Sequence, residues 1–198
     1  GLGRLLAAGQ IRRVTASYVG DNGVLARMYA AGEVELELCP QGTLAEKMRA
    51  GGAGIPAFFT RTGLMTPVAD GGMPIRYAPD GTVALASEPK PTAFFHGEEF
   101  VLEESVKADF ALVHAQIGDP LGNLTFHRSA RNFNPLAAMC GRVTIAEVEE
   151  IADVGGIDPD RIHTPGVFVQ HVFHTAPASK RVDRLTVRGE AERFGVML

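Results

Sequence analysis

Apolar positions recur at helical spacing at Leu2, Leu5 and Leu6, which predicts a short helix over 2–8. Residues 11–19 carry Ile11, Val14, Thr15 and Val19 and predict a strand, closed by the turn cluster Gly20, Asp21, Asn22 and Gly23. A second helix is predicted over 24–31, stopped by Gly32. Over 34–38, Val34, Leu36 and Leu38 alternate with Glu35 and Glu37, the pattern of a strand with one solvated face that Pro40 ends. Residues 43–50 are good helix formers running into Gly51-Gly52, a common way for a helix to stop. Strand, loop and helix in repetition predict an α/β fold: a mostly parallel twisted sheet flanked by helices.

The middle of the chain has a different rhythm. Short β-type runs at 75–77 and 83–86 flank Pro79-Asp80-Gly81, and Phe94-Phe95 and 100–102 flank His96-Gly97. Residues 64–104 therefore read as an antiparallel β appendage on the main sheet. The nearly continuous apolar run 110–115 has the length of a buried central strand, with His114 expected as a hydrogen-bonded core residue. Further strands are expected at 124–127, 143–151 and 167–173, and a helix at 135–140. The β-branched Val143, Thr144, Ile145 and Val148 decide 143–151 in favour of strand. A basic, polar surface tail is expected over 176–188.

Composition narrows the function classes. The chain has 198 residues, 45% hydrophobic and 21% charged, a globular balance that fits one domain. Its net charge of −4 offers no global attraction to nucleic acid or anionic lipid. No apolar run is long enough to span a bilayer, so neither a nucleic-acid nor a membrane partner is expected. Two cysteines, Cys39 and Cys140, cannot build a disulfide framework, and a reducing cytoplasm is the expected compartment. The chain opens on Gly1 inside an apolar stripe, which reads as a start truncated within a longer unit.

Several segments together carry a resemblance. The run from Pro40-Gln41-Gly42-Thr43 through Gly51-Gly52-Ala53-Gly54-Ile55-Pro56-Ala57-Phe58 strongly resembles the α (A) subunit of the family I CoA-transferases. So do Ser17-Tyr18-Val19-Gly20-Asp21-Asn22, Ala130-Arg131-Asn132-Phe133-Asn134, 144–151 and Ile162-His163-Thr164-Pro165-Gly166. The hairpin-rich stretch 74–81 looks more like the succinyl-CoA:3-ketoacid branch than the shorter acetate-type subunits. The family's glycine-rich opening motif and its Ser-Glu-Asn-Gly glutamate motif are not in this sequence.

The resemblance implies the α (A) subunit of a 3-oxoacid CoA-transferase, working as a hetero-oligomer with a β (B) subunit that brings the nucleophilic glutamate. It implies a coenzyme A thioester as substrate, no permanently bound cofactor and no metal. The family reaction passes through an acyl-glutamyl anhydride and a glutamyl-CoA thioester, each reached through a tetrahedral oxyanion that needs donors aimed at it. Gln41 is the candidate catalytic donor: a neutral carboxamide stabilises an oxyanion without pairing with the attacking carboxylate. Gly42 clears space for backbone approach, and Thr43 is expected to cap the following helix. Gly52, Ala53 and Gly54 are candidate substrate contacts through their backbone N–H groups.

Other polar groups read as structural. Arg131, Asn132 and Asn134 suit a loop stapled by Asn side chains, and Glu147, Glu149 and Glu150 suit a solvated face with one partner-facing carboxylate. His171-x-x-His174 has metal-ligand spacing without completing ligands, and Cys39 reads as a small apolar packer. Two alternatives stay open: a non-catalytic interaction or assembly module derived from such a subunit, and an acetate/butyrate-type CoA-transferase subunit.

Overall fold

A computed structural model describes residues 3–20 and 22–176. Leu2, Asp21 and the basic run beyond Ala176 lie outside the described residues. Helix α1 (Gly3–Ala7) leads into strand β1 (Arg13–Ala16), helix α2 (Gly23–Ala30), strand β2 (Glu35–Leu38) and helix α3 (Gln41–Gly52). Strands β1 and β2 pair in parallel, Arg13 opposite Glu35 and Ala16 opposite Leu38. Asn22 starts α2 by accepting a hydrogen bond from the Leu25 N–H (3.1 Å), the local reason the helix begins there. Its inner face brings Leu25 and Met28 onto Leu6, Val34 and Leu36, the smaller of two cores.

Strand β2 departs from the expected alternation. Glu35 is buried and Leu38 is 41% exposed. The cause is Arg13 on the neighbouring strand, whose Nε donates to Glu35 at 2.7 Å. That hydrogen bond holds the Glu35 carboxyl below the usual range, and it lets a charged residue occupy a covered position.

Beyond α3 the chain turns antiparallel. Strand β3 (Ala57–Thr60) is followed by a one-turn helix, α4 (Pro67–Asp70), and then by β4 (Pro74–Tyr77), β5 (Val83–Ala86), β6 (Thr92–Phe95) and β7 (Glu98–Glu104). β3, β7 and β6 form one sheet, and β4 and β5 form a separate hairpin. The antiparallel region thus draws in β3 and starts at Ala57, before residue 64. His96 and Gly97 both have positive φ, 52° and 82°, the backbone a tight two-residue hairpin turn requires.

The second half holds the larger sheet. Strands β8 (Ala108–Gly118), β9 (Leu124–Thr125), β10 (Gly141–Ile151) and β11 (His171–His174), with helix α5 (Asn134–Cys140), complete the fold. The order is β11-β10-β8-β9; the first three run parallel, and β9 is antiparallel to β8. One face presents Val113, Ala115, Ala146 and Val148 to Leu124, Phe126, Ala138 and Val169, and this is the main core. The other face presents Phe110 and Leu112, 61% and 65% exposed among the described residues. The run 110–115 is therefore not buried throughout, because successive side chains alternate between the two faces. His114 falls on the open face, not in the core. Its Nε2 lies 3.1 Å from Glu149, and its Nδ1 lies 3.9 Å from Glu147.

Candidate functional site

Parallel α/β sheets place ligands beyond the carboxyl ends of their strands, and here that edge leads to α3. Strand β2 ends at Leu38, the Cys39 N–H still bonds to the Ala16 carbonyl of β1 (3.0 Å), and Pro40 turns the chain into the helix. Pro40 is the N-cap and supplies no side-chain acceptor. Leu44 donates to the Pro40 carbonyl at 2.9 Å, so the N–H groups of Gln41, Gly42 and Thr43 precede the first intrahelical bond.

The helix thus opens two residues earlier than expected, and Thr43 does not cap it. Thr43 sits inside the first turn, 3% exposed. Its Oγ1 has no hydrogen-bond partner among the described residues. Gln41, the residue of interest from sequence, is exposed on the first position of the helix. Next to it, Gly42 and Thr43 line an open cavity of about 400 Å³ together with Glu46 and, from β3 and its exit, Phe58, Thr60 and Thr62. Glu46 is neutralised locally by Arg49, whose Nη2 and Nε both reach its carboxylate, and the pair lowers the Glu46 pKa.

Gly52, Ala53 and Gly54 lie at the other end of the same helix, roughly 16 Å away along its axis. Physical causes internal to the fold account for the glycines. A Cβ on Gly51 would meet the Val106 carbonyl oxygen at 1.8 Å, and one on Gly52 would meet the Met139 Cβ at 2.6 Å. Gly54 has φ +76° and lets Ile55 donate back to Ala50 at 2.8 Å, a left-handed helix stop. The N–H groups of Ala53 and Gly54 are engaged with Arg49 and Gly51. These residues line a second cavity of about 590 Å³ with Lys107, Arg142 and the start of β10. The two groups of candidate residues therefore belong to two cavities.

Beneath α3 lies a cluster that sequence reading missed. Glu103 of β7 is 1% exposed and receives Lys47 of α3 at 2.9 Å and Lys90 at 2.5 Å. No spacing in the sequence links positions 47, 90 and 103; only the packing of α3 on β7 joins them. Cys39 is buried close by, and burial pushes its thiol up, with Lys47 opposing in part. Its burial agrees with a packing role.

Two further polar groups have structural partners. Asn134 Nδ2 donates to the Ala130 carbonyl (2.8 Å), and its Oδ1 accepts from the His114 N–H (3.1 Å), a staple from α5 to β8. His163 accepts from the Phe126 N–H through Nδ1 at 2.9 Å. Among the described residues, no group of three His, Cys, Asp or Glu side chains could hold a metal ion, and no helix is long and apolar enough to cross a membrane.

Comparison with known proteins places this arrangement. A Mycobacterium tuberculosis protein, named as the A subunit of a "Probable succinyl-CoA:3-ketoacid coenzyme A transferase", is 55% identical over 188 residues, 95% of this chain and 76% of that protein. The human "Succinyl-CoA:3-ketoacid coenzyme A transferase 2, mitochondrial" is 52% identical over 192 residues, covering 97% of this chain but only 37% of the human protein. In fold, the crystal structure of glutaconate coenzyme A-transferase from Acidaminococcus fermentans matches with a TM-score of 0.69 at 21% identity, over 87% of this chain and 58% of that one. The family model described as Coenzyme A transferase matches residues 1–175, and the chain belongs to that family of CoA-transferases.

Proposed function

We propose that the chain is the α (A) subunit of a 3-oxoacid CoA-transferase, moving CoA from succinyl-CoA to a 3-oxo acid such as acetoacetate. The names of its relatives support the substrate pair. In this reading a glutamate on a separate β (B) subunit performs the attack on the thioester carbonyl and expels CoA thiolate, leaving an acyl-glutamyl anhydride. The thiolate then attacks the glutamyl carbonyl, releases succinate and leaves a glutamyl-CoA thioester. The acceptor acid takes the CoA by the same two steps in reverse.

The observation that carries the reading is the position of Gln41. It stands exposed at the N-terminus of α3, beyond the carboxyl ends of two parallel strands, beside an open cavity. A carboxamide N–H there would donate to the oxyanion of each tetrahedral intermediate, and the positive end of α3 would add to it. Gly42 leaves room for substrate, since nothing lies within 4 Å of where a Cβ would sit. Gly52, Ala53 and Gly54 would serve as a wall of the second cavity, where Lys107 suits an anionic part of CoA and Arg142 is paired with Asp109 at 3.6 Å. Both cysteines are buried and free, in keeping with a cytoplasmic setting.

The test is reconstitution with a β (B) subunit, assayed with succinyl-CoA and acetoacetate. The chain alone should be inactive and the complex active. Gln41→Ala should lower kcat by a factor of about 100 or more, the usual cost of one oxyanion donor. Full turnover by the variant in a correctly assembled complex removes Gln41 from the site.

A further inference from the structure

The Lys47–Glu103–Lys90 cluster holds two ammonium groups against one carboxylate, and the transfer chemistry derived above does not use the surplus. The Glu103 side chain is 1% exposed, that of Lys47 12% and that of Lys90 26%. Among the described residues no other carboxylate lies within 4 Å of either ammonium group. The Lys47–Glu103 pair alone ties α3 to β7, so Lys90 adds a charge that anchoring does not require.

The surplus reaches the candidate site. Lys47 stands six residues after Gln41 on α3, about 9 Å along the axis, and the Cα–Cβ bonds of a helix tilt toward its N-terminus. Cys39, two residues before Gln41, registers the field of the cluster. Burial raises its thiol pKa; against that rise Lys47 outweighs Glu103, and Lys90 adds to Lys47. Glu37 acts on the thiol less than any of the three. The field of the cluster at the carboxyl end of β2 is therefore positive. Glu46, on the same helix, does not cancel it, because Arg49 neutralises it at 2.7 Å.

We propose that Lys90 assists the transfer electrostatically from beneath the site: its uncompensated charge keeps a positive field at the N-terminal end of α3, where negative charge arrives beside Gln41. The inference rests on the function proposed above. In that reaction the glutamate oxygen bonds to the thioester carbon and the carbonyl electron pair moves onto oxygen. Collapse then breaks the C–S bond and the charge leaves on the CoA sulfur; no proton moves. A charge already fixed beneath α3 stabilises the oxyanion without reorganisation, and its burial limits screening by salt.

Lys90→Met removes the surplus and leaves the Lys47–Glu103 pair. Lys90→Gln also removes it but keeps a donor for Glu103, and Lys90→Arg keeps the charge. In the reconstituted complex with succinyl-CoA and acetoacetate, Lys90→Met should lower kcat about tenfold, the effect of a unit charge about 10 Å from the oxyanion at an effective dielectric constant of about 20. KM should change little, and the deficit should be the same at low and high salt. Lys90→Gln should be as slow as Lys90→Met, and Lys90→Arg should restore most of the turnover. A purely structural Lys90 predicts the reverse order for Gln, since the donor survives. With an active wild-type complex, unchanged kcat in both neutral variants, rescue by Gln, failure of Arg to rescue, or a deficit that vanishes in salt would overturn the proposal. A wild-type complex that transfers no CoA would overturn the proposed function and this inference with it.

Discussion

Lys47 Nζ lies 2.9 Å from one carboxylate oxygen of Glu103, and the two residues tie the middle of α3 to the C-terminal end of β7. Lys90 holds the other oxygen, so one buried carboxylate faces two ammonium groups. The Lys47 carbonyl also accepts from the Val106 N–H at 2.9 Å, which brings the same turn of α3 to the start of the larger sheet. The candidate site at the N-terminus of α3 is positioned by this anchor.

Breaking that anchor on one side should be costly. Glu103→Gln leaves two partly buried ammonium groups without a counter-charge, and the expected loss is about 3–5 kcal/mol in urea unfolding. Replacing Glu103 and Lys47 together with apolar residues of similar size should recover part of it. A single variant within about 1 kcal/mol of wild type would show that the cluster does not hold α3, a threshold the size of an exposed ion pair.

Two glycines of α3 should respond in opposite directions. Gly51→Ala drives a Cβ against the Val106 carbonyl and should destabilise by about 1–3 kcal/mol. Gly42→Ala meets open space in a helical position and should stabilise by roughly 0.5–1 kcal/mol. Thermal melts of the two variants side by side would check both signs.

His163 gives a pH dependence. Burial lowers its pKa below 6.5, with Arg131 and Arg161 adding repulsion, and Nδ1 must stay unprotonated to accept from Phe126. The folded state therefore binds fewer protons than the unfolded one. The His163 contribution to stability is fully present above about pH 6.5 and is lost as pH falls through the lowered folded value. Tm should fall on acidification below that point, and His163→Asn, whose amide oxygen can replace Nδ1 as acceptor, should flatten that part of the curve.

Tyr29 should show the opposite behaviour in alkali. Burial pushes its pKa to about 12, helped by Tyr77, and its hydroxyl donates to the Pro74 carbonyl at 2.6 Å. Its contribution is complete below pH 10 and is lost between about 10 and 12. Spectrophotometric titration should find one of the three tyrosines ionising last, and Tyr29→Phe should remove that step. The same variant should cost about 0.5–1.5 kcal/mol, the worth of the bond from α2 to the β4–β5 hairpin.

Local chemistry explains what is readable in advance. Asn22, Gly32 and the Gly51–Gly54 run mark helix ends by caps and left-handed turns, and Pro79-Asp80-Gly81 and His96-Gly97 mark hairpins. These signals act within a few residues, so α2, α3, α5 and the β4–β5 and β6–β7 hairpins are legible close to their observed limits. Gln41 is legible for a different reason: the long run around it carries a family resemblance.

What sequence reading misassigns depends on neighbours far along the chain. Glu35 is covered because Arg13 lies on the adjacent strand, and His114 faces outward because β8 alternates between a packed and an open face. Thr43 has the residue type of a cap, but the helix already starts at Gln41 and carries it into the first turn.

The amino-acid sequence by itself determined the α/β class, the order of most elements and the family, because hydrophobic period, turn chemistry and motif runs are properties of contiguous residues. Only the tertiary structure decided that Gln41 and Gly54 open and close one helix on two different cavities, that Glu103 joins Lys47 to Lys90, and that the Thr43 hydroxyl is left without a partner among the described residues. Those are relations between residues brought together by packing, and packing depends on the three-dimensional path of the whole chain.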